Sequence, residues 1–297
     1  AGAVMGSYGG WERADWFTNN ESLKKPANSY DRQHWFDDVS KECNHVAEHC
    51  GVIDLTGFSR FEISGEGTSQ WLETLITGRL PKIGKVGLIY FSSHKGKVLT
   101  EMTATRISED HVWLLTGAGA YWHDRDWLNF NLPESSNIKI VDTTHDLGTM
   151  LLTGPKSDLL IAKLTDEKTD NESFPWLSHK SIKLCGEDTR VLKVSYAGEK
   201  GFEIHVHNNS MKKIYDELVQ HGENFNLIHF GMLALDSMRL EKNYRSWKSD
   251  LTSDYTMLQS GLEKWIKFDK GNFIGKEALK NEFDLGTSKK FVTLVVD

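Results

Sequence analysis

Val194-Ser195-Tyr196-Ala197-Gly198-Glu199-Lys200-Gly201-Phe202-Glu203-Ile204 places a tyrosine before a two-glycine turn and then opens a strand. The strand's first carboxylate, Glu203, stands between two apolar residues. Alternation sends Phe202, Ile204 and Val206 to a core and Glu203, His205 and His207 to water. A buried Glu203 would instead accept two hydrogen bonds from a flat edge offering a ring N–H beside an exocyclic NH2. Pterins and guanines present such an edge. The rest of the chain has to decide between these readings.

The 297 residues suffice for two or three domains with developed cores. A formal charge of −7 and a pI near 6.0 give no electrostatic reason to expect nucleic acid or an anionic membrane as partner. No apolar run reaches the ~20 residues that span a bilayer. Cys43, Cys50 and Cys185 are too few and odd in number for a disulfide framework, so a reducing compartment is expected: cytoplasm, or mitochondrial matrix in a eukaryote. No initiating methionine and no secretory leader is visible. The last stretch, residues 289–297, reads as a β-strand interrupted in mid-course, the sign of a piece of a longer protein.

Residues 1 to about 30 are Gly-rich and read as irregular, with a break at Lys24-Lys25-Pro26. Asp31 to Cys50 follows a helical pattern, with Gly51 as a C′ stop. Strands are expected at 51–55, 58–63, 86–92, 98–107, 111–115 and 138–141, with helices near 68–75 and 120–130. A buried strand at 146–154 leads into a helix start at Pro155. Further helices are expected at 211–221 and 232–241, the second amphipathic with Leu233, Leu235, Met238 and Leu240 available for packing, and a turn at 272–275 enters another. Strands and helices mix without regular alternation, so the class is α+β.

Several motifs compete for a chemical reading. His45-Val46-Ala47-Glu48-His49 spells H-x-x-E-H, with Cys43 and Cys50 close by, yet no distant acidic ligand is marked; an exposed amphipathic helix is preferred and no metal is expected. Gly117-Ala118-Gly119 and the 148–154 glycines give neither G-x-G-x-x-G nor a P-loop. On the strand from Val98, Glu101, Thr103 and Thr105 share one face while Thr100, Met102 and Ala104 take the other. A carboxylate there is ordinarily solvated. If that face lines a pocket, Glu101 can orient an amine or stabilise an iminium cation.

Taken together, these segments resemble the tetrahydrofolate-dependent aminomethyltransferases, the family of the glycine-cleavage T-protein. Tyr196 to Ile204 is similar to the family's Y-T-G-E-x-G-F-E-I, with Ala197 in place of Thr. Gly51-Val52-Ile53-Asp54-Leu55, Thr153-Gly154-Pro155, Asp236-Ser237-Met238-Arg239-Leu240-Glu241, Gly261-Leu262-Glu263 and Asn272-Phe273-Ile274-Gly275-Lys276 match further family segments in the same order. Gly10-Trp11-Glu12-Arg13 and Arg239 to Trp247 resemble the folate half of dimethylglycine and sarcosine dehydrogenases.

The resemblance implies a T-protein-like folate-binding fold. A discontinuous first domain is expected at 1–60 and 145–243, a ferredoxin-like second domain at 61–144 and 244–288, and the first strand of a truncated C-terminal barrel at 289–297. It implies that Glu203 grips the pterin edge of tetrahydrofolate and that Tyr196, Thr103, Trp247 and Arg239 line the folate site. Glu101 falls where the T-protein has its catalytic aspartate, and its carboxylate reaches about 1.5 Å further. Leu235 stands where that family carries an arginine, with Lys242 or Arg245 as substitutes for the lost charge. The implied reaction is methylene transfer from an oxidised N-methyl or aminomethyl intermediate to give 5,10-methylenetetrahydrofolate. FAD would belong to a flavin dehydrogenase domain, in cis or as a separate partner. The alternatives are a folate-binding docking module without chemistry and a demethylase of the dimethylsulfoniopropionate type.

Overall fold

The computed structural model describes residues 2–24 and 29–295. Its first segment runs β1 (Ala3–Tyr8), β2 (Trp11–Phe17), α1 (Phe36–Glu48) and β3 (Cys50–Asp54). There follow β4 (Phe58–Ser64), α2 (Thr68–Leu75), β5 (Val86–Ser92), β6 (Val98–Ser108), β7 (His111–Gly117), α3 (Tyr121–Phe130) and β8 (Lys139–Asp142). The chain continues with β9 (Leu147–Thr153), α4 (Ser157–Ile161), β10 (His179–Leu184), β11 (Glu187–Leu192) and β12 (Gly201–His207). It closes with α5 (Asn208–Gly222), β13 (Leu227–His229), α6 (Met232–Glu241) and α7 (Lys276–Leu285). The chain divides into two compact units, Ala1–Phe58 with His145–Tyr244, and Ser59–Thr144 with Arg245–Asp297.

The first unit is built on a six-stranded sheet in the order β10-β11-β12-β9-β3-β13, antiparallel except for the β3–β13 pair. Phe202, Ile204 and Val206 of β12 join Met150, Leu152, Leu160, Ile214 and Leu218 in one core, which α4 and α5 cover. The opposite face is covered as well. Ile53 and Leu151 pack there with Val46 of α1 and with Ala234, Leu235 and Met238 of α6. Glu203 pairs with Leu151 across β12–β9, and Leu151 pairs with Ile53, so Glu203 points to this second, helix-covered face. A sheet with both faces covered buries the residues that simple alternation assigns to water.

The second unit carries the sheet β5-β6-β7-β4-β8. Read from β8 inward, β8-β4-β7-β6 is the strand order of a ferredoxin-like fold, and β5 adds a further edge strand. Met102 and Ala104 of β6 pack beneath α2 and α3 with Phe61, Leu72, Leu75, Leu114 and Leu128. Tyr90 packs in a separate cluster with Leu251, Met257, Leu262, Ile266 and Phe273. Lys270 ties that segment down. Its buried ammonium donates to the Glu73, Ile76 and Gly78 carbonyls at 2.6, 2.7 and 2.5 Å, around the C-terminus of α2, where helix carbonyls lack partners.

Four expectations are corrected. The Gly-rich start is a β-hairpin: Gly9 and Gly10, at φ +60° and +86°, make the turn between β1 and β2. Gly51 lies inside β3 rather than ending a helix; a Cβ there would stand 2.6 Å from Val46 Cγ2 and 2.7 Å from Phe230 Cδ1. Leu240 of α6, read as available for packing, is exposed. Residues 289–295 form no strand and pair with no strand among the described residues; Phe291 N donates to Gln259 O, and Val292, Leu294 and Val295 are exposed. Val296, Asp297, Lys25 and Pro26, which entered that reading and the break after Lys24, lie outside the described residues. No described helix is long and apolar enough to cross a membrane.

Candidate functional site

In the first unit the site begins with Glu203. Its side chain is 12% exposed, and Oε2 lies 3.4 Å from Nε2 of the fully buried His205. His205 Nδ1 is in turn 2.7 Å from Thr149 Oγ1 on β9. His205 was expected in water; its burial follows from the covered second face of the sheet. The chain N-terminal to β12 brings Tyr196 to the same cluster as Leu151, Leu235 and Met238. The Tyr196 ring stacks on Tyr244 at 6.3 Å and 21° and remains half-buried.

The turn between them needs its glycine. Gly198 sits at φ +79°, and a Cβ there would approach Lys242 Cγ to 2.2 Å. Lys242 Nζ pairs with Glu199 at 3.2 Å. Arg239 is buried: Nε donates to Asp236 at 2.7 Å and an η nitrogen to the Tyr244 carbonyl at 2.9 Å. It therefore fixes the residue on which Tyr196 stacks. Leu235 packs in the core of this unit. Of the cations considered as its substitutes, Lys242 is paired with Glu199. Arg245, in the second unit, donates to the Ser260 carbonyl and lies 4.6 Å over the Phe291 ring.

The second unit holds Glu101 and Thr103 on the face of β6 opposite α2 and α3, and both are half-buried. Burial pushes the Glu101 carboxyl up to about 7, and a hydrogen bond from the Tyr90 side chain pulls it down. No Lys, Arg or His among the described residues forms an ion pair with Glu101. Trp247 is half-buried against the cluster of Leu251 and Met257, and its indole N–H has no partner among the described residues. Sequence reading missed Tyr90, Thr149 and His205. The spacing of His205 two residues after Glu203 on one strand face was the available signal for the last.

Elsewhere the tempting motif is engaged locally. His45 Nε2 is 2.6 Å from the Asn226 carbonyl, while the Cys43 and Cys50 thiols lie against the Ala234 and Phe225 carbonyls. No group of three potential metal ligands occurs among the described residues.

A nearly buried carboxylate acceptor fits the N–H edge of a pterin. Glu203 is a nearly buried acceptor that, apart from the 3.4 Å approach of His205 Nε2 to Oε2, makes no hydrogen bond among the described residues, which suits a paired N–H edge. Tyr196 offers an aromatic ring from the cluster that holds Leu151, the cross-strand partner of Glu203.

The family model described as the GCVT N-terminal domain matches residues 1–270. Mitochondrial dimethylglycine dehydrogenase of Mus musculus is 31% identical over 294 residues, covering 98% of this chain and 34% of that protein. An aminomethyltransferase of Thermoanaerobacter sp. (strain X514) is 28% identical over 260 residues, 86% of this chain and 70% of the relative. The crystal structure of glycine cleavage system aminomethyltransferase T from Bartonella henselae matches with a TM-score of 0.81 at 21% identity, over 97% of this chain and 73% of that one, a likeness of fold. The chain spans about a third of the length of the dimethylglycine dehydrogenases it matches. With residues 1–270 matched, the chain belongs to the GCVT family of folate-dependent one-carbon transfer proteins.

Proposed function

We propose that this chain is the folate module of a dimethylglycine or sarcosine dehydrogenase-like system and transfers a methylene group to tetrahydrofolate. The donor is an oxidised N-methyl amine held as an iminium ion. Its carbon passes to the two folate nitrogens, the demethylated amine leaves, and one proton is released. Tetrahydrofolate supplies the two nucleophilic nitrogens.

The chain's own residues bind, orient and balance charge. Glu203 accepts the paired donors of the pterin edge, and Tyr196, braced by Tyr244, offers its ring to the heterocycle. Thr103 and Trp247 supply polar and aromatic lining in the second unit, and Arg239 acts through Tyr244. The observation that carries the reading is Glu101. Its carboxylate is desolvated with no cation paired to it among the described residues, so the ionised form is completed by a cation that arrives with the substrate. With its carboxyl near 7, Glu101 is also able to take up the released proton at a carboxylate oxygen. FAD would belong to a flavin dehydrogenase domain in cis or in trans; the mouse relative is a dehydrogenase by name and about three times as long.

The test supplies the chain with tetrahydrofolate and a flavin amine dehydrogenase oxidising dimethylglycine. Methylenetetrahydrofolate is read by an NADP-linked dehydrogenase. The proposal expects the product to form faster than by free condensation and formaldehyde release to fall. Equal formaldehyde release with and without the chain would exclude it.

A further inference from the structure

Tyr90 and Glu101 are directly opposed across the β5–β6 pairing, so their side chains leave the sheet on the same face. Tyr90 is 2% exposed. Its ring meets Trp265 edge-on at 5.1 Å, and Leu251, Met257 and Leu262 pack in the same cluster. Its backbone is pinned too, since the Tyr90 carbonyl accepts from Thr77 N at 2.9 Å. A tyrosine has two side-chain torsions, and this packing fixes both, so the phenol oxygen is held in place before any ligand arrives.

We propose that Tyr90 is the positioning residue of the Glu101 carboxylate: its phenol donates to Glu101 from the opposed strand and holds that carboxylate in one orientation in its ionised form. The surroundings leave Tyr90 this task. From β7, Leu115 stands beside Thr103 and brings no charge. The segment packed on Tyr90 brings Trp265; Lys264 lies 3.9 Å over that indole and Lys270 is engaged by carbonyls. Two influences act on the Glu101 carboxyl, desolvation upward and the Tyr90 hydrogen bond downward. Removing the hydroxyl leaves desolvation unopposed.

The inference rests on the methylene-transfer reading for its consequence in catalysis, although the Tyr90–Glu101 coupling is measurable without it. The variant is Tyr90→Phe in the full chain, which keeps the ring and its packing. Two readouts are taken. One is the carboxyl 13C titration of Glu101, assigned by its disappearance in Glu101→Gln. The other is the pH profile of methylene transfer coupled to a dimethylglycine-oxidising dehydrogenase.

In Tyr90→Phe the Glu101 titration should move up by about one pH unit. The acid limb of kcat should move with it, giving about fivefold slower transfer at pH 7 and an unchanged KM for tetrahydrofolate. An unmoved titration would overturn the proposal. So would a raised KM with kcat intact, which would make Tyr90 a folate contact instead. If the wild-type chain transfers no methylene, the function reading fails at that control, and the 13C titration still decides whether Tyr90 governs Glu101.

Discussion

Glu42 offers a perturbation whose size follows from the structure. From α1 its two oxygens accept Phe17 N at 2.7 Å and Gly231 N at 2.8 Å, joining β2 and the start of α6 to one carboxylate. Burial raises its pKa from 4.5 to about 7, against the pull of both amides. The folded value lies above the unfolded one, so the contribution to stability is full below about pH 4.5 and is lost as pH rises through about 7. That rise corresponds to about 3 kcal/mol over the whole range, most of which falls between pH 5 and 8. Glu42→Gln abolishes the titration and leaves one amide N–H facing an NH2, a pH-independent offset of about 1–3 kcal/mol. Urea unfolding of both proteins at pH 5, 6, 7 and 8 separates the two effects. The stability advantage of wild type over the variant should shrink by about 2–3 kcal/mol from pH 5 to pH 8. A difference that stays constant with pH would refute the reasoning, whatever its size.

Gly51→Ala should destabilise the first unit by about 1–3 kcal/mol in thermal or urea melts, because its Cβ would enter the contact between Val46 and Phe230. A loss below about 0.5 kcal/mol would show that α1 yields there. Glu101→Gln keeps the shape of the side chain and removes its charge, so methylene transfer should fall about 100-fold with tetrahydrofolate affinity little changed. Matched losses in binding and turnover would assign Glu101 to folate binding alone.

How much of this was legible in the sequence differs from place to place. Helix α6 runs from Met232 to Glu241, as its apolar spacing predicts, and β5, β6 and β7 fall within a few residues of the alternating stretches. Period-2 alternation sorted β12 into two faces correctly but assigned the Glu203–His205 face to water. Alternation reports that two faces differ; it holds no information on whether a second layer covers the polar one. Here α1 and α6 do, and they come from sequence about 160 residues before β12 and about 30 after it. The family motifs, not the periodicity, singled out Glu203 and Tyr196. The Tyr90–Glu101 contact was out of reach because it depends on strand register. At the N-terminus a run of glycines was read as irregular, although Gly9-Gly10 between two alternating stretches is itself a hairpin signal.

The most direct test of the central claim is equilibrium binding of tetrahydrofolate to this chain and to its Glu203→Ala variant, by anaerobic calorimetry at pH 7.5. Glu203→Gln serves as a second variant that keeps the volume. The account predicts binding to wild type and a loss of about 100-fold or more in Glu203→Ala, since a pterin donor edge without its carboxylate loses two charge-assisted hydrogen bonds. Glu203→Gln should lie in between, because its amide retains one acceptor. Equal affinity in all three proteins would contradict the assignment of Glu203 as the pterin anchor.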